Sequence, residues 1–331
     1  MNERTLLWLC QKAGIDPGEF LGHNFYEQFS SSRFDFKGFK CQIYKRKVYR
    51  NGRLKSKKVI QPPQELMEIQ KRIRDRILRN FIDDAEIGFF YAHGGFKEHS
   101  IITHTQPHAG NRFFFVFDLR KAYPSVRTYH LEECLKNIGF YPDVVNTLIE
   151  LNTYQDRLPI GFPASPLLFN LVLNVADNRI AYLLRNSSDL FPEWGFTFTR
   201  FFDDFIVSSP FEIPFEIRER IKLVLAEWGF KLHPKKTFYL DVTKKAAQTV
   251  GLTITDHGIV LSKKRRRNME GILWLAIRDP FKWRSKVYGK LGLFRMVYGH
   301  DLPKRIDMLF QEFEAAYADA WRKEKGIPLL N

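Results

Sequence analysis

Two adjacent carboxylates sit inside an apolar run, Phe201-Phe202-Asp203-Asp204-Phe205-Ile206-Val207, and a third, Asp118, ends another, Phe113-Phe114-Phe115-Val116-Phe117-Asp118. An ionised carboxylate among phenylalanines is costly to bury unless a cation or a hydrogen-bond network compensates it. Three such acids on strand edges fit a site for hard divalent metals, whose ligands are oxygens and whose usual partners are phosphates. The pattern points to phosphoryl transfer on nucleotides. Successive strand residues face opposite ways, so Asp203 and Asp204 cannot both aim at one metal from a regular strand. A turn between Phe202 and Phe205 is therefore predicted. A solvated hairpin turn is the ordinary fate of an Asp-Asp pair; the apolar flanks and a partner acid 85 residues upstream argue against it here.

The 331 residues allow two or three lobes with real cores, and 44% hydrophobic with 15% aromatic content indicates a folded chain. A formal charge of +15 favours a polyanionic partner, nucleic acid first. An anionic membrane surface is the competitor, but no stretch is expected to reach the apolar length of a transmembrane helix. The N-terminus lacks a secretory cleavage pattern. Cys10, Cys41 and Cys134 are widely spaced and form no CxxC pair, so they read as reduced thiols rather than a zinc site or disulfide framework. A cytosolic protein is expected.

Along the chain, residues 1–36 read as an N-terminal helical extension with a loose polar connection around Ser30-Ser31-Ser32. Cys41 to Tyr49 and Arg53 to Ile60 read as two strands joined at Asn51-Gly52, a dipeptide that supplies the positive φ of a tight turn. After Pro62-Pro63 a helix is predicted over about 64–81, with Leu66, Ile69, Ile73, Ile77 and Phe81 on one face and Lys71, Arg72, Arg74, Arg76 and Arg79 on the other. Arg72 and Arg76 are candidate phosphate contacts; a solvated face is the plain reading. Strands, helices and loops alternate to about Thr255, an α+β pattern. Lys263-Lys264-Arg265-Arg266-Arg267 then opens a helical, Trp-rich basic lobe that suits a nucleic-acid backbone.

Several segments together resemble the reverse transcriptases. Arg200-Phe201-Phe202-Asp203-Asp204-Phe205 resembles their Tyr-x-Asp-Asp box, and Val116-Phe117-Asp118-Leu119-Arg120-Lys121-Ala122-Tyr123-Pro124-Ser125 their first acid motif. Leu158 to Pro166 followed by Asn170 resembles the motif between them, and Gly229 to Thr237 the lysine-bearing motif that follows. Within that group the chain resembles bacterial retron-type enzymes, through Lys57 to Pro62, Ile87 to Phe90, His99-Ser100-Ile101, Thr249-Val250-Gly251-Leu252 and Tyr288-Gly289-Lys290-Leu291. It departs from them at His104, Ile160, Phe202 and in the inverted order of Thr249-Val250. A related antiphage reverse transcriptase fits nearly as well.

The resemblance implies a right-hand polymerase fold: fingers over 37–117 with part of 130–165, palm over 118–256 and a C-terminal helical thumb over 257–331. It implies two Mg²⁺ ions, with Mn²⁺ as a substitute, bound by Asp118, Asp203 and Asp204 with the carbonyl of Leu119, one ion activating the attacking oxygen and one the leaving oxygen. Tyr123 would exclude a ribose 2′-hydroxyl; its bland reading is a core aromatic. Lys57 would reach the β and γ phosphates of a deoxynucleoside triphosphate, and Lys236 would serve as general acid for pyrophosphate. Gly161 would allow close backbone approach to the nucleotide, Ser165 would cap the helix opened by Pro166, and Asn170, Asn174 and Asn178 would line the template side or form a core stripe. His104 and His108, four apart, suit metal ligation on a helix, but no further Cys or Asp stands at ligand spacing, and His108 is assigned to a structural or RNA-contact element. Arg72, Arg76 and the cations 263–267 would hold nucleic acid.

The implied partners are a dedicated structured non-coding RNA, the RNA–DNA hybrid, deoxynucleotides and a separately encoded effector protein, in a bacterial cytoplasm. An RNase H or integrase domain needs on the order of 100 residues, so such activities are expected from other proteins. Two rivals stay open: a template-independent or DNA-templated polymerase on the same palm, and a catalytically relict RNA-binding scaffold.

Overall fold

The computed structural model describes Trp8 and residues 11–14, 41–50, 53–190, 195–255 and 257–325. The rest of the proposed N-terminal extension and the Asn51-Gly52 turn lie outside the described residues, whereas Trp8 and residues 11–13 are helical. The chain forms two compact units, each discontinuous in sequence: Met1–Gly95, Asp118–Asn186 and Phe215–Pro234 make the first, and Phe96–Phe117, Ser187–Pro214 and Lys235–Asn331 the second.

In the first unit, β1 (Gln42–Arg50) and β2 (Arg53–Gln61) pair antiparallel in unbroken register from Gln42↔Gln61 to Arg50↔Arg53. Pro62-Pro63 ends β2, since proline lacks the donor a ladder needs, and Pro63 stands in extended geometry just before the helix Gln64–Arg72. That helix runs through a π-helical stretch, Ile73–Leu78, into Arg79–Asp84. The wider turn shifts the buried stripe by one residue. Leu66, Ile69, Ile73 and Ile77 are buried as the periodicity predicts, but Leu78 and Ile82 continue the stripe. Phe81 is only half-buried and stacks on Phe140 at 4.0 Å. The polar Gln70 is tolerated inside because its amide donates to the Leu151 carbonyl at 2.6 Å.

The long helix Ser165–Leu190 is largely buried through Asp177, while Asn178, Arg179, Tyr182, Arg185 and Asn186 are exposed. Its segment Ser165–Ser187 is long and apolar enough to cross a membrane, contrary to the expectation from composition, but its most apolar window is 72% buried inside the protein. An apolar helix face is a core face when neighbours cover it.

The second unit is built on a four-stranded sheet of order β4–β5–β3–β6: β3 is Phe113–Asp118, β4 Thr197–Phe201, β5 Asp204–Ser209 and β6 Phe238–Asp241. Asp118, the last residue of β3, is where the chain leaves this unit. Alternation sorts the side chains. Phe114, Val116 and Ile206 pack with Val242, Ala247 and Ile254 on one face, while Phe117 stacks on Phe205 at 4.8 Å on the other. Burying each such phenylalanine contributes roughly 1.5–3 kcal/mol. A second sheet, β7 (Ala247–Thr249), β8 (Leu252–Thr255) and β9 (Gly258–Leu261), is antiparallel throughout.

Three helices follow, Lys263–Arg278, Pro280–Tyr298 and Lys304–Lys325. Met269, Leu273, Leu291, Phe294, Leu309 and Phe313 close one core with Leu252 and Leu261 of the small sheet. Asp279 caps the middle helix, accepting from the Lys282 amide at 3.3 Å, with Pro280 in the first turn. Cys41 and Cys134 are free thiols, and burial pushes Cys134 up to about 12.

Candidate active site

β4 and β5 pair with Phe201 opposite Asp204, so the hairpin turn is Phe202-Asp203. The predicted turn thus lies one residue earlier in the chain. Phe202 takes a left-handed φ of +53°, uncommon for a bulky residue, and this tight reversal lets Asp203 and Asp204 share a target. Asp118 is buried at the end of β3, next to β5, while Asp203 and Asp204 are half-buried. One oxygen from each carboxylate lies within 4.8 Å of the others. Three carboxylates gathered this closely on a hydrophobic sheet suit a hard divalent cation.

The backbone beside Asp118 is held on one side. The His233 amide donates to the Asp118 carbonyl and the Arg120 amide to the Lys231 carbonyl, each at 2.7 Å, flanking the antiparallel pair Leu119↔Leu232. In such a pair the carbonyl of Leu119 points away from Leu232. The bridge to Leu232 therefore does not use it.

Sequence reasoning gave no role to Arg200, whose side chain is among the largest fully buried in the protein. Its Nη1 donates to the Phe202 carbonyl at 3.0 Å, and its guanidinium lies 5.7 Å from the centre of the Phe205 ring. The signal was present: an arginine in the middle of an apolar strand needs a dedicated partner.

The opposite face of the sheet, the one that carries Ile206, holds a buried polar network. His108 Nε2 meets Thr199 Oγ1 at 2.7 Å and His108 Nδ1 meets Ser208 Oγ at 2.6 Å. Thr199 Oγ1 also meets His104 Nδ1 and donates to the His104 carbonyl, both at 2.8 Å. Asn111 donates to Ser208 Oγ at 2.7 Å. The arrangement that uses each proton once has His108 protonated on Nε2, Ser208 donating to His108 Nδ1, and Thr199 accepting from both imidazoles. His104 ends a helix, Ile101–Thr105, and His108 a separate 3₁₀ turn, so they are not successive turns of one helix. They brace the strands that bear Asp203 and Asp204.

The predicted nucleotide residues, all in the first unit except Lys236, have identifiable surroundings. Tyr123 is half-buried and stacks on the fully buried Phe169 at 4.6 Å and 13°. Lys57 is exposed on β2, while Lys58, on the opposite face, lies 5.6 Å from the Tyr154 ring centre. Lys236 is half-buried in the 3₁₀ turn Pro234–Lys236. Gly161 is needed for a nearer neighbour than a nucleotide: at φ +119°, a Cβ there would stand 2.4 Å from the Ile60 carbonyl, and the Ile60 amide bonds the Ile160 carbonyl at 2.9 Å. The helix opens at Ser165 itself, whose buried hydroxyl has no hydrogen-bond partner. The predicted cap is therefore corrected to a first-turn residue. Asn170 donates to the Gly94 carbonyl at 2.7 Å inside the core, Asn174 is buried and Asn178 exposed. The stripe runs from core to surface.

The basic candidates divide as well. Arg76 donates to the Ala13 carbonyl at 2.9 Å, and Arg72 is half-buried. Arg265 donates to the Val250 carbonyl at 3.0 Å and covers Gly251, where a Cβ would meet its Nε at 2.4 Å; burial lowers its pKa. It therefore clamps the β7–β8 turn. Arg266 is half-buried, whereas Lys263, Lys264 and Arg267 are exposed.

A family model for reverse transcriptase (RNA-dependent DNA polymerase) matches residues 43–262. The chain belongs to the reverse transcriptase family. It is an RNA-directed DNA polymerase, a nucleotidyltransferase. It is 25% identical to the retron Ec86 reverse transcriptase of Escherichia coli over 234 residues, covering 70% of this chain and 68% of that one. It is 28% identical to the retron Mx65 reverse transcriptase of Myxococcus xanthus over 227 residues, 62% of this chain and about half (51%) of the relative. Its fold is similar to telomerase from Candida albicans, solved with a fragment of telomeric RNA, at a TM-score of 0.50 and 12% identity over 91% of this chain and 61% of that one. The α+β polymerase fold expected from the sequence is the fold present.

Proposed function

We propose that this reverse transcriptase copies a dedicated structured non-coding RNA into DNA, as retron enzymes of bacterial antiphage defence do, in the cytoplasm and together with a separately encoded effector protein. The convergence of Asp118, Asp203 and Asp204 carries the reading. A relict scaffold has no use for three carboxylates held against a hydrophobic sheet. Residues 37–117 with part of 130–165 are assigned to the fingers, 118–256 to the palm and 257–331 to the thumb.

The three carboxylates and the Leu119 carbonyl form an all-oxygen donor set, which fits Mg²⁺, with Mn²⁺ as a substitute. Bound there, divalent ions supply charge stabilisation to the attacking 3′-oxygen of a primer and to the departing pyrophosphate. The protein's own part is positional. The Phe202-Asp203 turn aims one acid, β5 the next and β3 the third, and Arg200 with the His108–Thr199 network keeps the hairpin from relaxing. Tyr123, backed by Phe169, is a rigid plate against a 2′-hydroxyl, selecting deoxynucleotides by exclusion. Lys57 is assigned to the triphosphate, and Lys236 to proton donation to pyrophosphate. Arg72, Lys263, Lys264 and Arg267 are assigned to the RNA and the RNA–DNA hybrid through backbone charge.

The test is primer extension by purified protein with deoxynucleotides and Mg²⁺ on RNA, on DNA and without template, followed by sequencing of co-purified nucleic acid. RNA-dependent product lost in Asp203→Asn, with a single structured RNA recovered, is expected. Equal product without RNA supports the template-independent rival instead.

A further inference from the structure

The first unit contains a second cationic feature that the metal chemistry does not use. Arg120, Lys121, Ser125, Arg127, Tyr129, Arg157, Gly229 and Lys231 line a recess of about 390 Å³. Five of the eight carry positive charge and none is acidic. Asp156 answers Arg127 at 3.0 Å, and Arg157 is anchored on the Pro124 carbonyl at 2.6 Å. Arg120, Lys121 and Lys231 are exposed and, among the described residues, make no side-chain ion pair or hydrogen bond.

The walls are stiff. Arg120 and Lys231 are joined through their backbones at 2.7 Å. Lys121 sits at φ +52°, and the Ser125 hydroxyl closes the same turn by donating to the Lys121 carbonyl at 3.0 Å. Fixed backbones hold these like charges together, where mutual repulsion would otherwise spread them. At the rim, Tyr129 is 57% exposed and offers an aromatic face on which a base or sugar can pack.

We propose that this recess binds the phosphates of a nucleotide unit, with Tyr129 as its stacking surface and without need of a metal ion. Concentrated guanidinium and ammonium groups without an acid partner are phosphate receptors, and the volume suits one nucleotide-sized group. The phosphates can come from an RNA strand or from a free polyphosphate such as pyrophosphate; the chemistry is shared.

The experiment uses the full chain in EDTA, so that the metal reading and this one fail separately. Fluorescence anisotropy with a 12-nucleotide RNA, from about 50 to 200 mM salt, is run on wild type, Arg120→Gln/Lys231→Gln, and a control neutralised elsewhere, Lys136→Gln/Lys222→Gln. Pyrophosphate binding is measured by calorimetry on the same three proteins. Loss of two strand contacts lowers the salt slope by roughly 1.4 in the recess variant only, which assigns the recess to RNA. Loss of pyrophosphate binding with an unchanged slope assigns it to the free polyphosphate. Equal behaviour of recess and control variants in both assays overturns the proposal. Should the recess pair fail to fold, Lys121→Gln/Tyr129→Ala, two exposed side chains, replaces it, with a slope reduction of roughly 0.7 expected for its one cation.

Discussion

The guanidinium of Arg200 donates to the carbonyl oxygen of Phe202 at 3.0 Å, so a cation buried within β4 fixes the turn that presents Asp203. Methionine at this position keeps an unbranched apolar stem and removes the guanidinium donors. Arg200→Met leaves that carbonyl bare, at a cost of about 1–3 kcal/mol in urea denaturation, and lowers kcat for primer extension more than it changes KM. A variant that extends at the wild-type rate would show that the turn holds itself.

Metal dependence follows from the triad. Added Mg²⁺ is expected to stabilise the wild-type fold, by about 2.7 kcal/mol at a concentration one hundred times Kd, and EDTA to reverse this. Asp118→Asn and Asp203→Asn lose primer extension and most of the thermal shift. An unaltered Mg²⁺ shift in both variants would place the ion elsewhere.

The His108–Thr199 contact predicts a large coupling. Thr199→Val preserves shape but removes the hydroxyl that both imidazoles and the His104 carbonyl share. Destabilisation of about 2 kcal/mol or more is expected, with a coupling of roughly 0.5–3 kcal/mol in a double-mutant cycle with His108→Gln. Additive effects would mean that the network is not a unit.

His130 sets a pH dependence. Its Nδ1 accepts from the Arg127 amide and its Nε2 donates to the Trp228 carbonyl, each at 3.0 Å, which requires the neutral ring. Burial holds its pKa below the usual 6.5. The unfolded chain therefore takes up a proton first as pH falls, and stability present above about pH 6.5 declines towards the lowered native pKa. Thermal melting of His130→Gln should lack this decline; an identical pH profile would exclude the residue.

Tyr123 stacks on Phe169, so its ring is fixed against movement. Tyr123→Ala raises ribonucleotide incorporation relative to deoxynucleotide, and Tyr123→Phe does not. Measuring both ratios by single-nucleotide extension decides the gate, since an unchanged ratio in Tyr123→Ala leaves only a core aromatic.

Much of the site was legible because metal chemistry imposes a pattern that survives in one dimension. Asp118, Asp203 and Asp204 stand out as acids where apolar strands should exclude them. The helix after Pro63 was equally visible through Leu66, Ile69, Ile73 and Ile77, whose spacing reflects a local 3.6-residue period. Its π turn was not, because the widened turn that brings Ile82 inside depends on what packs against it. The cations were the least legible. Arg265 and Lys264 are neighbours in one basic run, yet one clamps the Val250 carbonyl and the other faces solvent.

Residue order alone determined the family, the acids and the strand–turn–strand that bears two of them, since each rests on chemistry carried by a short contiguous segment. Only the tertiary structure decided that Gly161 yields to the Ile60 carbonyl, that Asn170 serves Gly94, and that Arg200 and His108 support the hairpin. Those assignments depend on which distant backbone a side chain meets, and a hydrogen bond between positions 91 apart leaves no local trace.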